Sequence, residues 1–496
     1  MDQINKIIVV GGGTSGLMAA LMLQKQFSHL EIQVIESSSI GTIGVGEGAT
    51  EHWKHFCHTI GVSLEDTLVH CNATLKAGIK FSNWGIPDYI HNTVEPYAQT
   101  AGDYSAIYAK LISEGASPLD IIHKTTIDST VNEAWLNGAP CPQNQFHFNT
   151  FSTVDYLHKL CSSRNISVVD DKIIDVVLDE SGNITKLVGE KINHNADFFI
   201  DSSGFSRVLM KKLGAKWVSY KDHLWVNSAI AFPTEDTDEY PIYTQATAMD
   251  AGWMWNTPVN GRWGNGYVFC DEYLDFDQAQ AEVETKLGRS IDIAKKIKFD
   301  SGKLDKSWIK NCACIGLASS FVEPLESSAI SQTVLQTFLV MNLLPGFIND
   351  PNISTVYNKT VDNMCNNILD FISLHYYVPK DNTSFWKDLK TSRHSWMTES
   401  LKSNLEQWTK RLPLASEFDP KYVLFTADNW IVTLHGMGLL DQALVKKEYQ
   451  MIAPELRDYA DLVVRTEKHL ESTLKFIPHK VALRKYLETH ARDLNT

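Results

Sequence analysis

Three glycines near the start of the chain have the spacing of a nucleotide-binding turn. Gly11-x-Gly13-x-x-Gly16 lies between the apolar run Lys6-Ile-Ile-Val-Val10 and a helical apolar pattern. In such a turn the first glycine permits the bend, the second admits a pyrophosphate, and the third lets helix and strand pack closely. The helix N-terminus offers N–H groups to phosphate, and Glu36 stands about 20 residues later, where an acid binds a ribose hydroxyl. We therefore predict an FAD or NAD(P) site contacted by Gly11, Gly13, Thr14, Ser15, Gly16 and Glu36.

A second segment favours FAD over NAD(P). Ala196-Asp-Phe-Phe-Ile-Asp201-Ser-Ser-Gly204 reads as an apolar strand that ends in an Asp-x-x-Gly turn. In the FAD-binding folds that this chain resembles, such a strand end returns to the same ligand, so Asp201 and Gly204 join the predicted contacts. A capped turn without a ligand is the alternative. The sequence holds no second Gly-x-Gly-x-x-Gly unit for NAD(P)H, so we expect another protein, a flavin reductase, to supply reduced FAD (FADH2).

Two further segments resemble signatures of the flavin-dependent halogenases. Gly252-Trp253-Met-Trp255-Asn-Thr257-Pro258 is similar to their Trp-x-Trp-x-Ile-Pro signature, with Thr257 in the isoleucine position. Thr74-Leu-Lys76-Ala-Gly-Ile-Lys80-Phe81 is similar to the stretch that carries their catalytic lysine. By position in that stretch, Lys76 matches the lysine and Lys80 does not.

A third segment, Phe321-Val-Glu-Pro-Leu-Glu326-Ser-Ser-Ala329-Ile330, resembles the part of the family that carries the active-site glutamate and the halide site. Glu326 matches that glutamate, and Glu323 is expected to be structural. Weaker similarity extends the resemblance over about residues 5 to 440. It adds Gly46, Glu47 and Gly316 to the predicted flavin contacts.

The resemblance implies a reaction in which FADH2, O2 and halide yield hypohalous acid. The acid travels through an internal tunnel to an electron-rich aromatic carbon. Lys76 would hold it there by a hydrogen bond or as a haloamine; the second route needs a neutral amine, which burial favours. The sequence leaves both routes open. Glu326 would polarise the oxidant or accept the ring proton, which is general-base work.

The remaining implied roles concern separation and halide binding. Trp253 and Trp255 would keep the flavin apart from the organic substrate, although core packing is their alternative role. Halide would bind backbone N–H groups near Ser328 and Ala329, where the family usually has Thr-Gly. The extra methyl of Ala329 changes the cavity and the backbone freedom, so bromide or iodide stand beside chloride as expected halides.

The substrate expectation rests on a late segment, Phe425-Thr-Ala-Asp-Asn-Trp430-Ile431. Tryptophan-specific members hold their substrate with a tyrosine pair, which Trp430-Ile431 replaces here. We therefore expect a free indole- or phenol-like aromatic rather than strictly free tryptophan, with Phe425 and Trp430 in the pocket. A substrate tethered to a carrier protein is the less favoured alternative.

Two rival functions remain open. A single-component FAD monooxygenase would share the glycine turn but would not need Lys76 or the tryptophan pair. A flavin-binding protein without turnover, such as a redox sensor, would not need both Lys76 and Glu326. Aerobic incubation with and without halide distinguishes a halogenase from the monooxygenase, because a hydroxylated product formed without halide would favour the monooxygenase. Halide-dependent oxidation in the presence of a reductase distinguishes a halogenase from the flavin-binding protein without turnover.

Composition narrows the class of protein. The net charge of −14 argues against a nucleic-acid partner, which would require a basic face. No apolar run is long enough for a membrane span, and no secretion signal precedes Lys6, so a cytoplasmic protein is expected. The eight cysteines are scattered, which predicts reduced thiols and no metal site. The oligomeric state stays open, a homo-oligomer included.

The elements that must position these residues begin with a β-α-β unit of Lys6–Val10, a helix from Leu17 to Gln26, and Glu31–Ile35. Further strands are predicted over residues 173–178, 184–188 and 196–200, and helices over 332–344, 358–377, 402–412 and 455–476. The expected fold is α/β, with a Rossmann-like FAD core of the flavin monooxygenase and halogenase type and a mainly helical C-terminal substrate region. The expected domains are 1–95 with 151–345 for FAD, and 96–150 with 346–496 for substrate.

Overall fold

The computed structural model describes residues 3–41, 47–92, 105–418 and 422–490. The chain forms two compact units, each built from three segments. The first unit comprises residues 1–72, 148–221 and 300–366, and the second comprises 73–147, 222–299 and 367–496. Within the described ranges, no helix is long and apolar enough to cross a membrane.

The first unit contains the predicted β-α-β unit at the centre of a mostly parallel sheet. Strand Lys6–Val10 lies between Glu31–Glu36 and Phe198–Asp201, and Val10 is in register with Ile35 and with Asp201. The helix Thr14–Gln26 connects the first two strands. Both faces of the central strand are buried, which explains its continuous apolar sequence. Across the described residues, the strands stand in the order Trp308–Ile309, Cys312–Cys314, Phe198–Asp201, Lys6–Val10, Glu31–Glu36 and Ser167–Asp170.

Smaller elements complete the first unit. Its other strands are Glu47–Gly48, Ile173–Leu178, Ile184–Gly189, Asn193–His194, Trp217–Ser219, Gly302–Leu304 and Ser320–Phe321. Its other α-helices are His52–Ile60, Glu65–His70, Thr150–Ser163, Val208–Lys212 and Ser328–Phe347. Short 3-10 helices are Gly204–Ser206, Gly316–Ala318, Pro324–Glu326 and Pro351–Ile353. The boundary at residue 366 falls inside the helix Ser354–His375.

The second unit is built on a mainly antiparallel sheet with helices from the C-terminal part of the chain. Its described strands stand in the order Lys295–Lys298, Ser228–Glu235, Arg262–Phe269, Gly252–Val259, Tyr243–Met249, Gly78–Ser82 and Tyr89–Asn92. The other strands are Thr74–Lys76, Thr130–Asn132, Phe476–Pro478 and Gln145–Phe148, the last of which ends one residue inside the first unit. The helices are Ser105–Ser113, Lys124–Ile127, Glu133–Asn137 (3-10), Phe276–Leu287, Ser384–Thr391, Arg393–Trp396, Glu399–Trp408, Ala415–Glu417 (3-10), Ala427–Gly436, Gln442–Met451, Pro454–Thr473 and His479–His490.

The predicted fold class is confirmed, but the compact units differ from the predicted domain boundaries. Residues 73–95 and 222–299 were expected in the flavin domain, yet their described residues pack in the second unit. The reason is a shared sheet: Gly78–Ser82 pairs in parallel with Tyr243–Met249, which pairs with Gly252–Val259. This sheet was not predicted, because strands such as Arg262–Phe269 contain glycine and asparagine, which are uncommon in strands.

Candidate active site

The glycine turn of the first unit lies at the carboxyl edge of three adjacent parallel strands. The N–H of Gly11 donates to the Ile35 carbonyl at 2.8 Å, and the N–H of Ser202 donates to the Val10 carbonyl at 2.9 Å. Gly11 has φ +122°, and a Cβ there would lie 2.2 Å from the Ser202 carbonyl oxygen. A Cβ on Gly16 would lie 1.9 Å from the Gly11 carbonyl oxygen. Both positions therefore require glycine, for the bend and for close packing.

Gly13 differs from these two glycines because nothing lies within 4 Å of where its Cβ would be. It precedes the helix Thr14–Gln26, whose N-terminus has no side-chain cap. Uncapped N–H groups and open space directly above the turn suit a pyrophosphate. The residues present thus fit a dinucleotide cofactor.

Glu36 ends the second parallel strand and stands over the turn. A Cβ on Gly12 would lie 1.7 Å from the Glu36 Oε2 atom, and the same oxygen is 3.3 Å from His158 Nε2. The hydrogen bond to Glu36 raises the pKa of the half-buried His158 above its ordinary value. His158 was not identified from the sequence, where a lone histidine in an amphipathic helix carries no signal.

Asp201 and Gly204 lie beside the turn, but the Asp201 carboxylate is engaged by its own segment. It accepts hydrogen bonds from Ser203 N–H (3.0 Å), Ser203 Oγ (2.6 Å), Leu209 N–H (2.8 Å) and Met210 N–H (2.9 Å). The side chain thus holds the strand end and the following helix. The backbone of Ser202, rather than this carboxylate, faces Gly11. Gly204 has φ +61°, and nothing lies within 4 Å of where its Cβ would be.

Gly316 also reaches the start of the dinucleotide helix. Its N–H donates to Gln336 Oε1 at 2.8 Å, and a Cβ there would lie 2.6 Å from Ser15 Oγ. Ser15 Oγ lies 2.9 Å from Thr333 Oγ1. The first unit therefore brings Gly11–Gly16, Glu36, the 201–204 turn and Gly316 together. Gly46 and the side chain of Glu47 lie outside the described residues.

Glu326 and the predicted halide residues surround a backbone reversal in the first unit. Glu326 ends the 3-10 turn Pro324–Glu326 and is fully buried, as is Glu323. Ser327 has φ +54°, and the helix Ser328–Phe347 begins directly after it without a side-chain cap. Ser328 is buried and Ala329 is exposed. The uncapped first turn of this helix can donate N–H groups to an anion.

Lys76 lies in the second unit, at the end of the short strand Thr74–Lys76, here called the lysine strand. Its side chain has 0% exposure. Lys80, the other lysine of the motif, is 28% exposed and pairs with Asp88, with a Nζ–Oδ2 distance of 3.3 Å. The lysine strand pairs with Gln145–Phe148, which sets Lys76 opposite Gln145 and Thr74 opposite His147.

Two histidines that were not identified from the sequence contact the lysine strand. His147 Nδ1 lies 3.2 Å from Thr74 Oγ1, and His479 Nε2 accepts a hydrogen bond from the Leu75 N–H at 3.1 Å. Burial lowers the pKa of both imidazoles, that of His479 to about 4, and Lys76 lowers that of His147 further. The polar–apolar alternation of Gln145-Phe-His147-Phe148 is a strand signal that could have indicated His147; His479 has no such local signal.

Trp253 and Trp255 project from the same face of Gly252–Val259, here called the tryptophan strand. Their ring centroids are 6.1 Å apart; Trp253 is buried and Trp255 is partly exposed. Trp255 is paired with Gly266, where a Cβ would lie 2.0 Å from the indole Cη2 atom. Gly266 thus makes room for this ring, whereas Met254 on the opposite face joins an apolar cluster.

Phe425 and Trp430 lie in an aromatic core of the second unit. Phe425 stacks on Phe371 at 3.9 Å, and Trp430 contacts Phe371 and Trp408 at 5.0 and 4.8 Å between ring centroids. Both side chains are almost completely buried. Their contacts assign them at least a packing role, and their contact with substrate remains a prediction.

The predicted residues thus fall into two groups by unit. The dinucleotide turn, Glu326, Ser328 and Ala329 belong to the first unit, and Lys76 belongs to the second with both tryptophans, Phe425 and Trp430. Within the described residues, no group of three or more histidine, cysteine or acidic side chains could hold a metal ion. The first group can hold a nucleotide and an anion, and the second offers a buried amine.

Comparison with known proteins relates the whole chain to one family. The family described as tryptophan halogenase matches residues 6–451. The chain is 30% identical to the 7-chloro-L-tryptophan 6-halogenase KtzR of Kutzneria sp. (strain 744), covering 91% of this chain and 97% of KtzR.

Solved structures agree with this relationship. Tryptophan 6-halogenase SttH from Streptomyces toxytricini is 28% identical, with a TM-score of 0.82 over 97% of this chain and 100% of that chain. Xcc4156, a flavin-dependent halogenase from Xanthomonas campestris, is 26% identical, with a TM-score of 0.81 over 97% of this chain and 98% of that chain.

Proposed function

The chain belongs to the tryptophan halogenase family of flavin-dependent enzymes, and we propose that it halogenates an electron-rich aromatic carbon of an indole- or phenol-like substrate. Its flavin is FAD, supplied as FADH2 by a separate reductase. The halide is chloride, bromide or iodide. Because the related KtzR and SttH are named for tryptophan, tryptophan itself is the first substrate to test.

The first unit supports a dinucleotide cofactor, and the similarity to flavin-dependent halogenases favours FAD among the dinucleotides. Gly13 leaves open space above an uncapped helix N-terminus, where a pyrophosphate would bind, and Glu36 at the strand end would accept a hydrogen bond from a ribose hydroxyl. Bound FADH2 would supply two electrons that reduce O2 to the peroxide level, which is the oxidant that can take two electrons from the halide and give hypohalous acid. The chain's own part is to hold that cofactor, to bind halide at the N–H groups of Ser328 and Ala329, and to separate cofactor from substrate with Trp253 and Trp255.

The observation that carries the proposal is the complete burial of Lys76. Lysine is almost never fully buried without a specific reason, because its charged form loses hydration. A buried amine can hold hypohalous acid by a hydrogen bond or as a haloamine, which gives an otherwise unselective oxidant one position. Glu326, also buried, would polarise the oxidant or accept the proton that leaves the aromatic ring.

A halide competition tests this function. The protein is supplied with FADH2 and O2, an aromatic panel headed by tryptophan, other indoles and phenols, and equal chloride, bromide and iodide. Products are identified by mass. We expect halogenated product that disappears when halide is omitted. A hydroxylated product formed without halide would instead establish the single-component monooxygenase, and FAD binding without halide-dependent oxidation would establish a flavoprotein without this turnover.

A further inference from the structure

The lysine strand is held by side chains from distant parts of the second unit. It has three residues and pairs on one side with Gln145–Phe148. The Leu75 N–H donates to His479 Nε2, a residue 404 positions later in the chain. The N–H of Ala77, two residues after Leu75, donates to the Ile242 carbonyl at 2.6 Å. A buried strand must satisfy every such N–H, and here an imidazole takes the place of a neighbouring strand.

Hydrogen-bond accounting fixes the tautomer of His147. Thr74 Oγ1 donates its single proton to the Pro258 carbonyl at 2.7 Å, so it can only accept from His147 Nδ1–H, at 3.2 Å. Burial lowers the pKa of His147 well below its ordinary value. In the neutral ring that this favours, Nε2 accepts from Thr244 Oγ1 at 2.9 Å. A series of hydrogen bonds, Thr244–His147–Thr74–Pro258, therefore connects the lysine strand to the tryptophan strand.

The tautomer of His479 follows from its hydrogen bond in the same way. Its Nε2 accepts from the Leu75 N–H, so that nitrogen carries no proton and the neutral ring is protonated at Nδ1. His479 is the first residue of the helix His479–His490, it is 1% exposed, and its own N–H donates to the Ser129 carbonyl at 3.0 Å. The imidazole thus has a fixed position and a fixed acceptor for the strand.

We propose that His147 and His479 are positioning residues for Lys76, which hold the lysine strand by the Thr74 hydroxyl and by the Leu75 N–H. As neutral rings they do so without adding a positive charge beside the Lys76 amine. The expected effect on catalysis rests on the proposed function. A displacement of the Lys76 amine by about 1 Å would lower the rate of halogenation on the order of a hundredfold, and hypohalous acid that the amine does not capture would escape.

Variants of His479 separate positioning from general structure. His479→Gln keeps an acceptor for the Leu75 N–H, whereas His479→Phe keeps an aromatic ring and removes the acceptor. Thr244→Val removes the hydroxyl that donates to His147 while keeping the shape of the side chain. His435→Phe is the matched control, because His435 lies in the same unit and its Nε2 is 3.0 Å from the Ala116 carbonyl oxygen.

The functional readout is the partition of oxidised halide in the full chain supplied with FADH2, O2, tryptophan and bromide. Halogenated product is measured against free hypohalous acid captured by monochlorodimedone. We expect the product-to-trap ratio to fall about tenfold or more in His479→Phe, to fall in Thr244→Val, to recover largely in His479→Gln, and to stay unchanged in His435→Phe. An unchanged ratio in His479→Phe, or no recovery in His479→Gln, would overturn the proposal.

Amide hydrogen exchange of the peptide that contains Leu75 gives a second readout that does not depend on activity. We expect faster exchange in His479→Phe than in His479→Gln and the His435→Phe control, because the Leu75 N–H loses its acceptor. If the wild-type chain forms no halogenated product, the proposed function fails while this measurement still decides the positioning role. Equal exchange in all variants would contradict that role.

Discussion

Two lysines four residues apart have very different surroundings. Lys76 is fully buried on a strand contacted by two neutral histidines, whereas Lys80 is 28% exposed and pairs with Asp88. Solvent screens the charge of Lys80 and makes its ion pair worth little. The Lys76 amine is shielded from water, so its chemistry depends on the protein groups around it.

Replacing these lysines should separate their roles. We expect Lys76→Ala to lower the yield of halogenated product by about a thousandfold, in the range found for removal of a positioned proton-transfer or nucleophilic group. The oxidation of FADH2 should continue, because the dinucleotide residues lie elsewhere in the chain. Product is measured by mass and FADH2 oxidation by absorbance under identical conditions.

Lys80→Ala is the control for that substitution. It removes the same side chain from a partly exposed site, so product yield should stay at the wild-type level and stability should change by no more than about 0.5 kcal/mol. Full halogenation by Lys76→Ala would remove Lys76 from the mechanism. Equal losses in both variants would point to a general effect of charge.

At the scale of single elements, the dinucleotide turn was predicted closely because its determinants are local. The strand Lys6–Val10 was predicted with its observed bounds, and the helix was predicted to end at Gln26, as it does. The glycine spacing specifies the bend between them. What each glycine contacts was not predictable, since Ser202 and Glu36 approach from elsewhere in the chain.

Gly13→Ala should weaken the binding of FAD without changing the stability of the protein. A Cβ at this position meets no atom within 4 Å and the backbone has φ −77°, so thermal stability without FAD should be unchanged. The methyl would intrude on a pyrophosphate, and overpacking of about 1–3 kcal/mol predicts about a five- to 150-fold weaker Kd for FAD. Calorimetric titration with FAD measures it.

Gly16→Ala supplies the contrast for this element. Its Cβ would lie 1.9 Å from the Gly11 carbonyl oxygen, so the variant should lose thermal stability even without FAD. If Gly13→Ala binds FAD as tightly as the wild type, the pyrophosphate does not approach at Gly13.

The lysine strand shows why other elements could not be predicted. Three residues carry too little periodicity to define a strand, and the acceptor for Leu75 N–H is supplied by His479, 404 residues away. The motif around Lys76 was identified through family resemblance alone. The polar alternation of Gln145 and His147 was readable as a pattern, but its partner strand was not.

At the scale of the whole molecule, the domain prediction followed sequence order, whereas the compact units follow strand pairing. The segments 73–147 and 222–299 are separated in sequence, but Gly78–Ser82 pairs with Tyr243–Met249 inside one sheet. Such non-local pairing is invisible to local pattern analysis.

One consequence is that the second unit buries two neutral histidines in its interior, and its stability should depend on pH.

The sign of this dependence follows from His479. Burial lowers its pKa from 6.5 to about 4, so in the unfolded chain it binds a proton at a higher pH than in the folded chain. The contribution of His479 to the free energy of unfolding is therefore fully present above pH 6.5 and is lost as the pH falls towards 4. The loss from this group is on the order of 3 kcal/mol. His147, whose pKa is also lowered by burial, acts in the same direction. His158 acts oppositely because Glu36 raises its pKa, but it is partly exposed and its effect is screened.

Comparison of the wild type with His479→Gln isolates this contribution from the carboxylates, which also titrate below pH 6. The urea midpoint, followed by tryptophan fluorescence, is measured between pH 7 and pH 4.5 for both proteins. We expect the wild-type midpoint to fall more steeply with decreasing pH, because glutamine binds no proton in either state. The advantage of the wild type at pH 7 should therefore shrink as the pH approaches 4.5. If the difference between the two midpoints is the same at every pH, His479 takes up its proton in the folded chain as readily as in the unfolded chain, and the prediction is wrong.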